Sequence, residues 1–222
     1  MVVPSPHLLP ARPGRPSSVH SVSDMISPET AAGAKALLRR QLRAARKAHV
    51  AALPARMQAL LFLRPPGAIL PLVPEGAVVG LYHATATEAP TAAYARWFAE
   101  QGRQVALPWF ADKAAPMAFR LWASPWDEAT LVADPHGARQ PEATAAAVTP
   151  DVVFVPLVGF TAEGQRLGQG GGHYDRWLAA HPAVPAIGLA WDCQLVEAIP
   201  AEAHDHPLRA IITPTRLFGE MG

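Results

Sequence analysis

A three-layer α/β sandwich, Rossmann-like, with a mostly parallel central sheet and mixed edges, is the fold class that the order of apolar runs predicts. Three observations carry it. Apolar runs of strand length at residues 77–82, 104–107, 151–156, 186–190 and 210–213 alternate with helical stretches. The run at 151–156 lacks polar alternation, as a strand covered on both faces would. The strand–helix–strand unit across 77–107 predicts a right-handed crossover joining a parallel pair. Residues 117–122 alternate instead, which predicts a more exposed, antiparallel strand.

The elements follow in order. Ser27, Pro28 and Glu29 offer a hydroxyl cap, a proline at the first helical position and an acid in the first turn. The helix they open is expected to run to about Val50. Leu38, Leu42 and Ala45 form its apolar stripe, and Lys35, Arg39, Arg43 and Arg46 a basic one. A second helical piece is expected over 54–63, ended by Pro65 and Pro66, with loop to Glu75. A polar loop at 83–88 precedes a helix over 90–101 that turns Tyr94, Trp97 and Phe98 inward and stops at Gly102. Residues 123–150 have no periodicity and are expected as loop lying over the site. After the strand at 151–156 come a glycine-dense loop, a helix over 174–180 and a short helical turn over 193–197.

Length and composition fit one domain over 27–222, preceded by a disordered leader at 1–26 that is rich in proline and serine. Met25, just before the helix start, is a candidate initiator. Half of the 222 residues are hydrophobic and only 17% are charged. A net charge of +1 gives no general attraction to nucleic acid or anionic lipid, so neither is an expected partner. The single cysteine, Cys193, excludes an internal disulfide and fits a cytoplasmic location. No apolar stretch reaches the length of a membrane span. A monomer acting on small molecules is expected.

The chemistry concentrates between the strand at 151–156 and the helix at 174. Arg166 precedes Gly168, Gly170, Gly171 and Gly172, and His173, Tyr174 and Asp175 follow. A strand, a glycine loop and a helix start turn backbone N–H groups and the positive helix end toward one point, suited to polyphosphate. Arg166 is suited to a two-pronged phosphate grip. Tyr174 can stack on or hydrogen-bond a substrate, and Asp175 can hold a metal or cap its helix. There is no Walker lysine, and the Rossmann glycine spacing does not follow the first strand.

The run Arg166, Leu167, Gly168, Gly170, Gly171, Gly172, Tyr174, Asp175, Arg176 resembles the signature of the 5-formyltetrahydrofolate cyclo-ligases, or 5,10-methenyltetrahydrofolate synthetases. The similarity extends over roughly residues 30–215. Lys35 and Arg39 resemble the family's N-terminal ATP-contacting pair. Tyr82 followed by Glu88 resembles its strand-then-acid element, which implies Glu88 in the folate pocket. Ile187 to Ala190 and His204-Asp205 are similar to its closing strand and metal-side aspartate. Departures are Thr161, where aspartate is common, His173, often aromatic, and Arg209, often acidic.

The resemblance implies ATP-dependent closure of 5-formyltetrahydrofolate to 5,10-methenyltetrahydrofolate, with ADP, phosphate and Mg²⁺, through phosphorylation of the formyl oxygen. It implies ATP contacts at Lys35, Arg39, Arg166, Gly168, Gly170, Gly171, Gly172, His173 and Tyr174. Arg166 and Tyr174 would serve catalysis, and Asp175 and Asp205 would hold the metal. Phe160 lines the folate side or belongs to the core. Arg43 and Arg46 are expected to stay solvated. A binding protein without turnover, or a phosphosugar-binding protein, remains compatible with such a scaffold.

Overall fold

The computed structural model describes Met1, residues 30–200 and residues 206–219. Ser27, Pro28, Glu29 and the leader lie outside the described residues. Helix α1 (Ala31–Ala52) begins later than the sequence suggests, with Thr30 as its N-cap: the Thr30 hydroxyl accepts from Gly33 N–H at 3.1 Å. Its buried residues are Gly33, Lys35, Leu42 and Arg46. Leu38 is half-buried and Ala45 is exposed, so the inward stripe is more basic and less apolar than expected.

Only Ala55–Gln58 (α2) of the expected second helical piece is helical. Phe62 has φ 53°, a left-handed conformation, and packs edge-on to Trp191 with ring centroids 5.4 Å apart. Burying that ring reverses the chain, while Leu60 and Leu63 stay exposed. A 3-10 turn at Gly67–Leu72 occupies part of the expected loop.

Strand β1 (Val78–Gly80) is followed by α3 (Ala92–Glu100), in which Tyr94 and Phe98 are buried and Trp97 half-buried. Strand β2 (Gln104–Trp109) pairs parallel with β1 and runs on through Pro108. Pro108 faces Phe119 of β3 (Ala118–Leu121), between the pairs that exchange hydrogen bonds, so its missing N–H interrupts nothing.

The stretch expected as loop instead carries β4 (Leu131–Ala133), β5 (Arg139–Pro141) and β6 (Ala147–Val148). These strands are too short for a periodicity to register. The buried Gln140 amide completes the pairing, accepting from Phe110 N–H at 2.8 Å and donating to Phe110 O at 3.1 Å.

Strand β7 (Val152–Pro156) leads into a hairpin the sequence did not announce, β8 (Gly159–Phe160) and β9 (Arg166–Leu167). Then come α4 (His173–Ala180), β10 (Ala186–Leu189), a 3-10 turn at Asp192–Gln194, β11 (Ala210–Ile212) and β12 (Leu217–Phe218). The main sheet has eight strands in the order β12-β11-β10-β7-β1-β2-β3-β6. From β11 to β2 the pairing is parallel, and β12, β3 and β6 add antiparallel edges.

Three layers result. Val152 and Phe154 of β7 pack with Tyr94 and Phe98 on one face, and Val153 and Val155 pack with Trp177 and Leu178 of α4 on the other. Strand order reverses between β1 and β7, the place where open α/β sheets form a ligand crevice beyond their carboxyl ends.

Candidate active site

A cleft of about 490 Å³ opens at that switch point, lined by residues following β1 (Tyr82, His83, Glu88), β2 (Phe110) and β7 (Pro156), and by the glycine loop. The loop takes its shape from two positive-φ glycines, Gly170 (φ 102°) and Gly172 (φ 64°), the latter being the N-cap of α4. Gly168 does not need its freedom: a Cβ there would meet nothing closer than 3.6 Å.

Two arginines one turn apart on α1 hold the loop by its carbonyls. Arg39 Nε donates to Gly168 O at 2.9 Å, and Arg43 Nη2 to Gln169 O at 2.7 Å. The N–H groups of Gly170, Gly171 and Gly172 donate to no protein acceptor among the described residues. The result is a set of unspent donors at the positive end of α4, able to receive an anion.

Arg166 projects from β9 with its side chain only 4% exposed and forms an ion pair with Asp175 on the first turn of α4. Its guanidinium lies 6.0 Å from the Tyr174 ring centroid. The Tyr174 ring is half-buried, yet its hydroxyl is cut off from solvent and has no hydrogen-bond partner. Burial, followed by the nearby Glu88 charge, raises the Tyr174 hydroxyl pKa far above its ordinary value, with Arg166 partly opposing. Tyr174 is therefore a neutral donor. Tyr82 is raised for the same reasons, and its hydroxyl already donates to Ala89 O at 2.7 Å.

Glu88 lines the same cleft with its side chain 8% exposed. Thr85 N–H and the Thr85 hydroxyl donate to its Oε2 at 2.9 and 2.8 Å, and Gln169 Nε2 donates to Oε1 at 2.9 Å. Arg46 approaches Oε1 at 4.0 Å.

Residues 31–214 match the model of the 5-formyltetrahydrofolate cyclo-ligase family. The chain belongs to that family. It is 50% identical to the 5-formyltetrahydrofolate cyclo-ligase of Escherichia coli (strain K12) over 70 residues, 31% of this chain and 38% of that protein. It is 36% identical to the Mycolicibacterium smegmatis protein of the same name over 126 residues, 53% of this chain and 63% of the relative. The chain thus spans between about two fifths and two thirds of the length of these curated relatives. The solved 5,10-methenyltetrahydrofolate synthetase of Aquifex aeolicus superposes with a TM-score of 0.63 at 24% identity, covering 83% of this chain and 92% of that one. The Mycoplasma pneumoniae synthetase gives 0.57 at 21%, covering 80% and 97%. At these identities the superpositions establish the fold.

In this cyclo-ligase-family chain, the cleft gathers Glu88, Arg166, Gly168, Gly171, Gly172, His173, Tyr174 and Asp175 from the residues singled out in the sequence. It does not gather all of them. Lys35, Arg39 and Gly170 are not among its lining residues: Arg39 grips the loop from the α1 side, Lys35 is buried one turn earlier, and a Cβ on Gly170 would face the Arg39 guanidinium at 3.7 Å. Phe160 is fully buried, 5.2 Å from Phe218, and belongs to the core. Asp205 lies outside the described residues. Thr161, at the departure position, is 1% exposed with an unpartnered hydroxyl.

Two expectations about α1 are corrected. Arg46 is not solvated but 6% exposed, and it lines the cleft. Arg43 is exposed but engaged, its Nε and Nη2 donating to Gln169 Oε1 at 3.3 and 3.0 Å. The spacing held a signal: 35, 39, 42 and 46 form one stripe at helical intervals, the face pressed against the protein.

The β4–β5 turn also reaches the cleft through Asp134 and His136. The His136 ring lies 4.7 Å from that of His173, which itself sits 5.0 Å from Phe110. Burial, then His136 and Arg176, lower the His173 pKa. No sequence pattern marked His136.

Among the described residues no cluster of three or more His, Cys, Asp or Glu is present. Mg²⁺ takes most of its ligands from phosphate and water with one or two carboxylates added, a pattern that a carboxylate beside an anion-receiving loop fits. Asp175 is the carboxylate beside the glycine loop, and its pairing with Arg166 fixes its position.

Proposed function

We propose that the protein converts ATP and 5-formyltetrahydrofolate into 5,10-methenyltetrahydrofolate, ADP and phosphate. The observation that carries this is the arrangement at one sheet-switch cleft: unspent loop N–H groups, the buried Arg166 and the unpartnered Tyr174 hydroxyl, facing Glu88. Family membership supports the same activity.

The terminal phosphates of ATP would rest on the amides of Gly170, Gly171 and Gly172, with Arg166 neutralising charge on the transferring group. Arg39 would keep the loop in shape through Gly168 O and, with Lys35 one turn earlier, add positive potential. Mg²⁺, when bound, would be held by Asp175 and neutralise phosphate charge; Asp205 is the second carboxylate assigned to it. Glu88 would accept from donors on the reduced pterin, fixing the formyl group toward the nucleotide.

The chemistry balances without a protein nucleophile. The formyl oxygen takes the γ-phosphoryl group and ADP leaves. N10 then attacks the formyl carbon, the carbon–oxygen bond breaks, phosphate departs with that oxygen, and the N10 proton is released. Tyr174, held neutral, would donate a hydrogen bond to the substrate oxygen during these steps.

Purified protein given ATP, Mg²⁺ and 5-formyltetrahydrofolate should generate the near-ultraviolet absorbance of the methenyl product in step with ADP. Binding of both ligands with neither product formed would reduce the protein to a non-catalytic binder.

A further inference from the structure

Arg46 is a cation that the fold has buried without satisfying. Its guanidinium carries five N–H donors, yet it makes a single hydrogen bond, to Leu157 O at 3.3 Å, and stands 4.0 Å from Glu88 Oε1. Its Nε has neither protein partner nor contact with solvent. The side chain lines the cleft beside Glu88 and, unlike Arg39 and Arg43, donates to no carbonyl of the glycine loop. Buried polar groups are almost always paired, so an underused guanidinium at a cleft points to a ligand acceptor.

The neighbourhood specifies that acceptor. Glu88 Oε2 is taken by the Thr85 N–H and hydroxyl, but Oε1, 4.0 Å from Arg46 Nη1, accepts only from Gln169 Nε2 among the described residues, so the pair presents an open acceptor and donors side by side. A 2-amino-4-oxopyrimidine edge has the complementary order: an exocyclic amino donor, a ring N–H donor and a carbonyl acceptor.

We infer that Arg46 contacts substrate directly, donating to the ring carbonyl of the reduced pterin while Glu88 Oε1 accepts from the adjacent ring N–H. The inference rests on the folate function proposed above and gives Arg46, together with Glu88, the choice of a 4-oxo over a 4-amino ring. An amino group at position 4 would turn its N–H groups toward the Arg46 cation, and N3, no longer carrying a proton, would present a lone pair to Glu88.

The test is a ligand-swap cycle read by calorimetric or fluorescence titration, without turnover. Wild-type protein should bind 5-formyltetrahydrofolate about 10- to 100-fold more tightly than its 4-amino analogue, the range of one hydrogen bond to a charged group. Arg46→Met should reduce that preference by weakening the 4-oxo ligand selectively, leaving the part that Glu88 contributes through the ring N–H, with ATP affinity retained. Arg46→Lys, which keeps the charge and shortens the fork, should give an intermediate preference. Equal binding of the two ligands by wild-type protein would overturn the inference whether or not either variant folds. Arg46→Met in a Glu88→Gln background should weaken the 4-oxo ligand further; no further loss there would overturn the inference and make Arg46 a support for Glu88. Failure of wild-type protein to bind any reduced folate would instead overturn the proposed function itself.

Discussion

Replacing Arg166 with alanine separates two contributions that its position combines. The Arg166 side chain is 4% exposed, whereas its partner Asp175 is 24% exposed and can be partly rehydrated once alone. Breaking a buried pair costs about 3–5 kcal/mol, and the partial exposure of Asp175 brings the expected loss to about 2–3 kcal/mol. For a chain of this length that lowers Tm by about 5–10 °C. The nucleotide effect is independent. Losing a two-pronged, charge-assisted phosphate contact of about 1.5–3 kcal/mol weakens ATP binding roughly 10- to 100-fold. Thermal melts across an ATP titration read both. At a hundredfold excess over Kd the nucleotide should add about 2.7 kcal/mol to wild-type stability, and at the same concentration no more than about 1.4 kcal/mol to the variant. A variant that melts lower but is stabilised by ATP as much as wild type would show that Arg166 serves the ion pair alone. That result would remove the phosphate grip from the proposed mechanism.

Two further changes should act on opposite ligands. Arg39→Ala removes the donor to Gly168 O and should weaken ATP by about tenfold while sparing folate. Glu88→Gln should weaken 5-formyltetrahydrofolate and leave ATP affinity within about twofold; competition titrations with each ligand check both, and an effect of Glu88→Gln on ATP alone would relocate that residue. The His173 pKa is lowered from its ordinary 6.5, so the folded state favours the neutral ring. Its contribution to stability is therefore full above that value and is lost as pH falls from there through the lowered folded value. His173→Gln should flatten that acid-side fall in Tm, and an unchanged pH profile would argue against the contacts with His136 and Arg176.

The sequence by itself determined the sheet and the glycine loop, because both are written in adjacent residues. Buried strands such as Val152–Pro156 are apolar runs, and the loop needs glycine where φ is positive, as at Gly170 and Gly172. The parallel pairing of β1 with β2 and the antiparallel β3 were legible from the intervening helix and from residue alternation. Short pieces were not: β4, β5, β8 and β9 have two or three residues each, too few for a periodicity to register, and Gln140 is held by Phe110, 30 residues away.

Only the tertiary structure decided which cations enter the site. Lys35, Arg39, Arg43 and Arg46 share one helix and one chemistry, but burial depends on where α1 lies against β9 and the glycine loop. That placement gave Arg39 and Arg43 the loop carbonyls and turned Arg46 into the cleft. It also put Phe160 into the core and brought His136 to His173 across 37 residues of chain, contacts set by packing between distant segments rather than by any local pattern.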